Sequence, residues 1–177
     1  MSDYGIVTEA GAVRFERLLP APIDRVWDYL TDPELRRTWL AGGESDPKPG
    51  GRMTLLFRNS ELASGEETPE EYRKYEGMEM EGRIIRFDPP RLLVHSWREE
   101  DGSDSEVSFE LSEEGDGTRL VLTHSKLASR ALLLGVSGGW HTHLAILEDV
   151  LAGRPRRPFW STHARLEKEY RERIGEA

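Results

Sequence analysis

The sequence predicts an α+β fold: a curved antiparallel β-sheet gripping one long C-terminal helix, with two short helices after the first strand and an extra terminal helix. Three observations carry this expectation. Six segments alternate apolar and polar residues with period two, as strands with one buried face do. Turn clusters rich in Gly, Asp and Pro join the last four of them, Asp88-Pro89-Pro90, Glu99–Asp104 and Glu113–Gly117, so those strands read as a meander of consecutive hairpins. After Gly138-Gly139 the period changes, with Trp140, Leu144, Leu147 and Leu151 at helical spacing and Ile146 and Val150 beside them.

The elements follow in order. Val13–Leu19 alternates and is stopped by Pro20 and Pro22. Ile23, Val26, Trp27 and Leu30 make the apolar stripe of a first helix. Thr31-Asp32-Pro33 ends it and caps a second, Glu34 to Leu40, which carries Trp39. Pro47–Gly51 is a turn cluster. The strands are Arg52–Arg58, Gly77–Phe87, Arg91–Arg98, Glu106–Ser112 and Arg119–Ser125. Between the first two lies an acidic insert, residues 59–76, expected as a solvated loop with one helical turn after Thr68-Pro69. The long helix runs about four turns from Gly138-Gly139, with Ser137-Gly138-Gly139 as a flexible entry and Gly153 as its C-cap. Arg154–Pro158 is a basic linker, and Ser161 or Thr162 caps a last polar helix ending near Ile174. The expected organisation is a domain over residues 1–153 and a helical extension over 154–177.

Composition bounds the function. With 177 residues, one domain is the simplest division. There is no cysteine, which removes disulfides, thiol nucleophiles and thiolate metal sites. Lys+Arg number 24 against 33 Asp+Glu, a net charge of -9, which opposes nucleic-acid or anionic-membrane binding. Residues 154–177 hold seven basic and four acidic side chains, so this stretch is +3 and the rest is -12. Arg154–Arg157 with Phe159 and Trp160 is accordingly expected to dock the last helix on an acidic surface or to form a dimer contact. No segment approaches the roughly 20 apolar residues of a membrane span, and no signal sequence is evident; a cytoplasmic protein is expected.

Four stretches carry a resemblance. The first is Ala21-Pro22-Ile23-Asp24-Arg25-Val26-Trp27 with Leu30-Thr31-Asp32-Pro33-Glu34 and Trp39-Leu40. The second is Pro49-Gly50-Gly51-Arg52. The third runs from Gly82 through Asp88-Pro89-Pro90-Arg91-Leu92 to Trp97. The last joins Gly117–His124 to Gly139-Trp140, Leu144 and Leu147. In this order, over about residues 12–152, they resemble the SRPBCC superfamily with its START-like, birch-pollen-allergen-like helix-grip fold. Within it they are most similar to the activator of heat-shock protein 90 ATPase homologue C-terminal-domain-like family. The resemblance implies a cavity between sheet and helix that holds a hydrophobic or amphipathic ligand. It also leaves open a chaperone-associated or stress-response interaction protein, and a cyclase, dehydratase or hydrolase. In the interaction reading, the insert and the last helix are the contact surfaces.

No phosphate-binding Gly-rich motif and no G-x-S-x-G nucleophile motif is present; neither an ATPase, a catalytic residue nor a cofactor is expected. His141 and His143 stand two apart, about 200° around a helix, so they do not share a metal; both are expected at the helix surface or edge. His95 shares a strand face with Leu93 and Trp97, and His124 with Leu120 and Leu122; each lines a cavity or is a satisfied structural histidine. Arg17 alternates with Phe15 and Leu19, pointing inward or reaching solvent from a strand edge by its long stem. With these three, Trp39, Met53, Met80, Trp97, Phe109, Trp140 and Leu144 are the candidate lining, which as ordinary core residues they would also fit.

Overall fold

A computed structural model describes residues 2–175. Its strands are β1 (Ile6–Glu9), β2 (Ala12–Leu19), β3 (Arg52–Phe57), β4 (Met78–Asp88), β5 (Leu92–Arg98), β6 (Asp104–Glu114) and β7 (Gly117–Ser125). They form one sheet in the order β1-β2-β7-β6-β5-β4-β3, every neighbouring pair antiparallel. The helices are α1 (Ile23–Thr31), α2 (Pro33–Arg36), α3 (Arg130–Leu151) and α4 (Phe159–Ile174). The fold is α+β and helix-grip-like, as the alternation predicts. Val13, Phe15, Leu93, Val107, Phe109, Leu111, Leu120 and Leu122 are all buried, and α3 covers the face they share.

β1 has no counterpart in the sequence reading. All four of its residues are exposed, so neither face imposes an alternation; it exists because Ile6 and Val7 pair with Arg14 and Val13. Gly11 makes that hairpin possible. It sits at φ +79, and a Cβ there would stand 2.5 Å from the Leu127 carbonyl oxygen.

α2 is shorter than expected, ending at Arg36 and not Leu40. The Asp32 carboxylate caps it, accepting from the Glu34 and Leu35 N–H groups. The Arg36 side chain then turns the chain inward. It is 1% exposed, and its guanidinium donates to the carbonyls of Ala41, Gly42 and Gly43. Burial lowers its pKa to about 10. This knot seats Trp39, whose Nε1–H donates 2.8 Å to the Tyr29 carbonyl.

α3 and α4 also begin elsewhere than their sequences suggest. α3 begins at Arg130, capped by the Ser129 hydroxyl accepting from the Leu132 N–H, so Ser137-Gly138-Gly139 lies within the helix and is no flexible entry. Two glycines lower local helix propensity by about 1 kcal/mol each, and a reading based on propensity stops there. α4 starts at Phe159 behind Pro158, without a cap from Ser161 or Thr162. The Glu66 carboxylate takes that role from across the chain, accepting from the Ser161 N–H at 3.1 Å.

The acidic insert is exposed over most of its length and forms the expected helical turn after Thr68-Pro69, but it is anchored at one point. It holds two 3-10 segments, Asn59–Leu62 and Glu70–Tyr75, and Leu62 and Ala63 are in the core. The basic linker is folded down too. Arg154 and Arg157 pair with the nearly buried Asp149, at 3.2 and 2.8 Å, and Arg156 donates to the Thr38 carbonyl. α4 packs along α3, adding Phe159, Trp160, Leu166 and Tyr170 to the same apolar core.

Candidate functional site

One feature interrupts the packed interior. A cleft of about 650 Å³ opens between β3–β5, the first half of α3, the insert and the start of α4. A far smaller void of about 10 Å³ lies beside Met53, Ile84 and Leu93, room for roughly one water.

Each wall has a local cause. On α3 the cleft meets Gly135, Val136, Gly139, Trp140 and His143, positions that share one helical face. Gly135 and Gly139 leave the space open, since a Cβ added at either meets nothing within 4 Å. Gly138 faces the other way, where a Cβ would touch the Glu167 backbone of α4. The sheet contributes Phe57, Met80 and Trp97. The insert contributes Tyr72, whose ring stacks on Trp160 at 5.1 Å and whose hydroxyl donates to Glu167. α4 contributes Phe159, Trp160 and His163. The Trp160 Nε1–H and the Asn59 side-chain oxygen are buried here without a partner.

A polar chain is buried at the end of the cleft. Ser105 and His124 occupy inward positions of β6 and β7, and Glu99, one residue past the end of β5, turns inward beside them. Trp140 Nε1–H donates to His124 Nδ1 at 2.9 Å. The indole is donor-only, so His124 carries its proton on Nε2. That proton is shared between Ser105 Oγ at 2.6 Å and Glu99 Oε1 at 3.1 Å, and the Ser105 hydroxyl donates to Glu99 Oε1 at 2.5 Å. Glu99 is 7% exposed and borders the cleft. No protein group among the described residues bonds its Oε2, and no cation pairs with it.

On the opposite wall, His143 Nδ1–H donates to the Trp39 carbonyl at 2.8 Å. Desolvation lowers its pKa to about 4, so at neutral pH its Nε2 is a bare acceptor on the cleft side.

Of the residues expected as lining, Met80, Trp97 and Trp140 border the cleft. Trp39, Phe109 and Leu144 are in the packed core, and Met53 borders the small void. His124 sits behind Trp140. His95 is 1% exposed and stacks on Phe109, its Nδ1 bonded to the Ser96 carbonyl and its Nε2 buried without a partner; desolvation takes its pKa to about 4. Arg17 is inward and 2% exposed, but on the far side of α3, where it meets Glu148 at 3.2 Å. It does not reach solvent from a strand edge. His141 and His143 do diverge around the helix as their spacing requires, yet both are buried and not at the surface.

Glu99, His143, Tyr72 and Trp160 were missed as site residues. Glu99 was legible: it stands two positions after Trp97, so one more step of the alternation turns it inward. Tyr72 and Trp160 were not, because their partners are 88 residues apart in sequence and only packing brings them together.

The family model described as Activator of Hsp90 ATPase homolog 1-like protein matches residues 20–152. No curated protein matches the chain. A Bordetella parapertussis protein solved by NMR is 45% identical, covering 99% of this chain and 92% of its own, with a TM-score of 0.84. CalU16 from Micromonospora echinospora, in its crystal structure, is 28% identical over 98% of this chain and 96% of its own, with a TM-score of 0.71. A Mesorhizobium loti protein at 22% identity shares the fold, with a TM-score of 0.65 over 81% of this chain and 98% of its own.

Proposed function

The chain belongs to the activator of Hsp90 ATPase homolog 1-like family, and from that premise we propose that it binds a small apolar or amphipathic molecule in the cleft beside α3. The observation that carries this reading is the open volume of about 650 Å³, within the range of about 300–1,000 Å³ typical of small-molecule sites. Its walls combine aromatic side chains with the carboxylates of Glu79, Glu81, Glu99 and Glu100, a mixture that suits a ligand with an apolar body and a polar end.

Met80, Trp97 and Trp140 are the proposed floor, with Tyr72 and Trp160 as the outer wall. Ser105 is enclosed between Glu99 and His124 and does not border the cleft. It is therefore a link in a proton-sharing chain, and no hydroxyl nucleophile faces the proposed ligand from this group. The insert and α4 would be contact surfaces in a chaperone-partner reading. Their apolar residues Leu62, Tyr72, Phe159 and Trp160 are turned to the cleft and the core, which favours the ligand reading.

The test is a thermal-shift screen of aromatic and lipid compounds against the wild type and Gly139→Leu. A ligand at 100 times its Kd adds about 2.7 kcal/mol to stability. The leucine side chain fills the space beside Trp140, so a genuine ligand shifts the wild type and not the variant. If no compound raises the melting temperature, or if the variant responds equally, the cleft is not a binding site.

A further inference from the structure

We infer that the ligand is an aromatic or similarly apolar molecule carrying a protonated amine, and that Glu99 is the residue that selects it. This rests on the cleft being a binding site and names the chemistry the site accepts.

Three observations converge. The first is the state of Glu99. Its carboxylate is more than nine-tenths buried, yet it is held only by neutral donors, the Ser105 hydroxyl and the His124 ring, both on Oε1. A carboxylate withdrawn from water is costly unless a counter-charge approaches it, and none does from Lys or Arg among the described residues. Arg98, the one cation on the cleft wall, is outward in the strand alternation and largely exposed. It is bonded instead to Asp104 at 3.0 Å and to the Gly102 carbonyl.

The second is the sign of the polar handles. Glu99 Oε2 and His143 Nε2 are acceptors, and Glu79, Glu81 and Glu100 add further carboxylates to the lining; the unpartnered Trp160 Nε1–H is a neutral donor. A ligand that satisfies the carboxylate side must bring charged donors, and a carboxylate-bearing amphiphile such as a fatty acid brings further anionic acceptors. The third is the aromatic wall. Trp97 and Trp140 lie 5.5 Å apart by ring centroids, and Trp97 and Phe57 5.7 Å. Ring faces attract cations, tryptophan most strongly. An ammonium bound at Glu99 stands beside Trp97, two positions back on the same strand face, and Trp140, which is joined to Glu99 through His124.

The experiment uses three probes with one body: naphthylmethylamine, naphthylmethanol and naphthoic acid, titrated by calorimetry into the full-length protein and into Glu99→Gln. A charged hydrogen bond in a dry site separates the first two by roughly tenfold or more. The expected order is amine, then alcohol, then acid. In Glu99→Gln the amine loses its advantage while the alcohol binds as before, with the Trp140 indole N–H resonance reporting that the buried chain is still formed. The wild-type series tests the inference even if that variant does not fold. Equal binding of amine and alcohol, preference for the acid, or an amine preference that survives Glu99→Gln overturns amine selection and leaves the cleft as a site. No binding by any probe, joined with a blank compound screen, overturns the site itself and this inference with it.

Discussion

His141 and His143 leave α3 in opposite directions and meet different interiors. His141 is set among Tyr4, Phe15 and Tyr170, with ring centroids 5.0–6.4 Å away. Its Nδ1 bonds the Tyr170 hydroxyl, which also accepts from the Gly5 N–H. Arg17 and Glu148 close the same flank. His143 also lies against an aromatic, Phe159 at 5.0 Å, and also has one nitrogen bonded. Beyond it the packing stops and the cleft begins. The difference comes from what the neighbours supply. Tyr4 and Tyr170 fill the first flank to contact, whereas Gly135 and Gly139 leave the second without side chains.

Four measurements test this contrast between the two flanks of α3. The largest effect concerns acid. Desolvation holds His95, His141 and His143 at about 4, below the ordinary 6.5. The unfolded chain therefore takes up protons first as the pH falls. Stability is full above about 6.5, falls between there and about 4, and levels below that window, by a ceiling of roughly 3 kcal/mol per histidine. Urea unfolding at stepped pH measures this. His141→Gln and His143→Gln should each remove about one proton from the slope; a His143→Gln profile identical to wild type means that water reaches that ring and the two flanks differ in dryness.

Tyr170→Ala comes next. It empties the filled flank and should cost about 3–5 kcal/mol, as truncation of a buried aromatic does. Tyr72→Ala, the corresponding change on the cleft side, removes one stacked pair and should cost only about 1 kcal/mol, while weakening ligand binding far more than Tyr170→Phe does. Comparable stability losses at the two tyrosines would mean that the cleft wall is as much core as the closed flank.

Glu66→Ala removes the carboxylate from the start of α4. A loss of about 1 kcal/mol is expected, with faster hydrogen exchange confined to the first turn of α4; an unchanged exchange pattern would deny that the insert caps the helix. The smallest effect has the opposite sign. Gly139→Ala should stabilise α3 by about 0.5–1 kcal/mol and reduce ligand affinity, because the methyl enters the cleft. If the variant is less stable than wild type, the space beside Trp140 is not open.

Much of the fold was legible because it is periodic. Leu93, His95, Trp97 and then Val107, Phe109, Leu111 announce their shared face by spacing alone. Where two structural demands act on one segment the reading failed. Ser137-Gly138-Gly139 looks like a helix boundary, since glycine weakens helices. In the fold it serves packing and openness, with α4 pressing on Gly138 and the cleft beside Gly139. The insert was legible in its exposure and its helical turn, but not in its anchoring. Its glutamates announce solvent, but Leu62, Ala63 and Tyr72 anchor it.

By itself the sequence determined the fold class, the inward faces of the strands, the divergence of His141 and His143, and the absence of thiol chemistry. These depend on local periodicity and residue type, which no distant contact can alter. Three features arise only on folding: the interior stays open on one flank of α3, Glu99 stands there without a Lys or Arg partner among the described residues, and the insert and α4 form the outer wall. Those depend on which side chains from remote segments arrive at one place, and on how much volume they fill. A strand pattern records which way a residue points, but not whether anything meets it there.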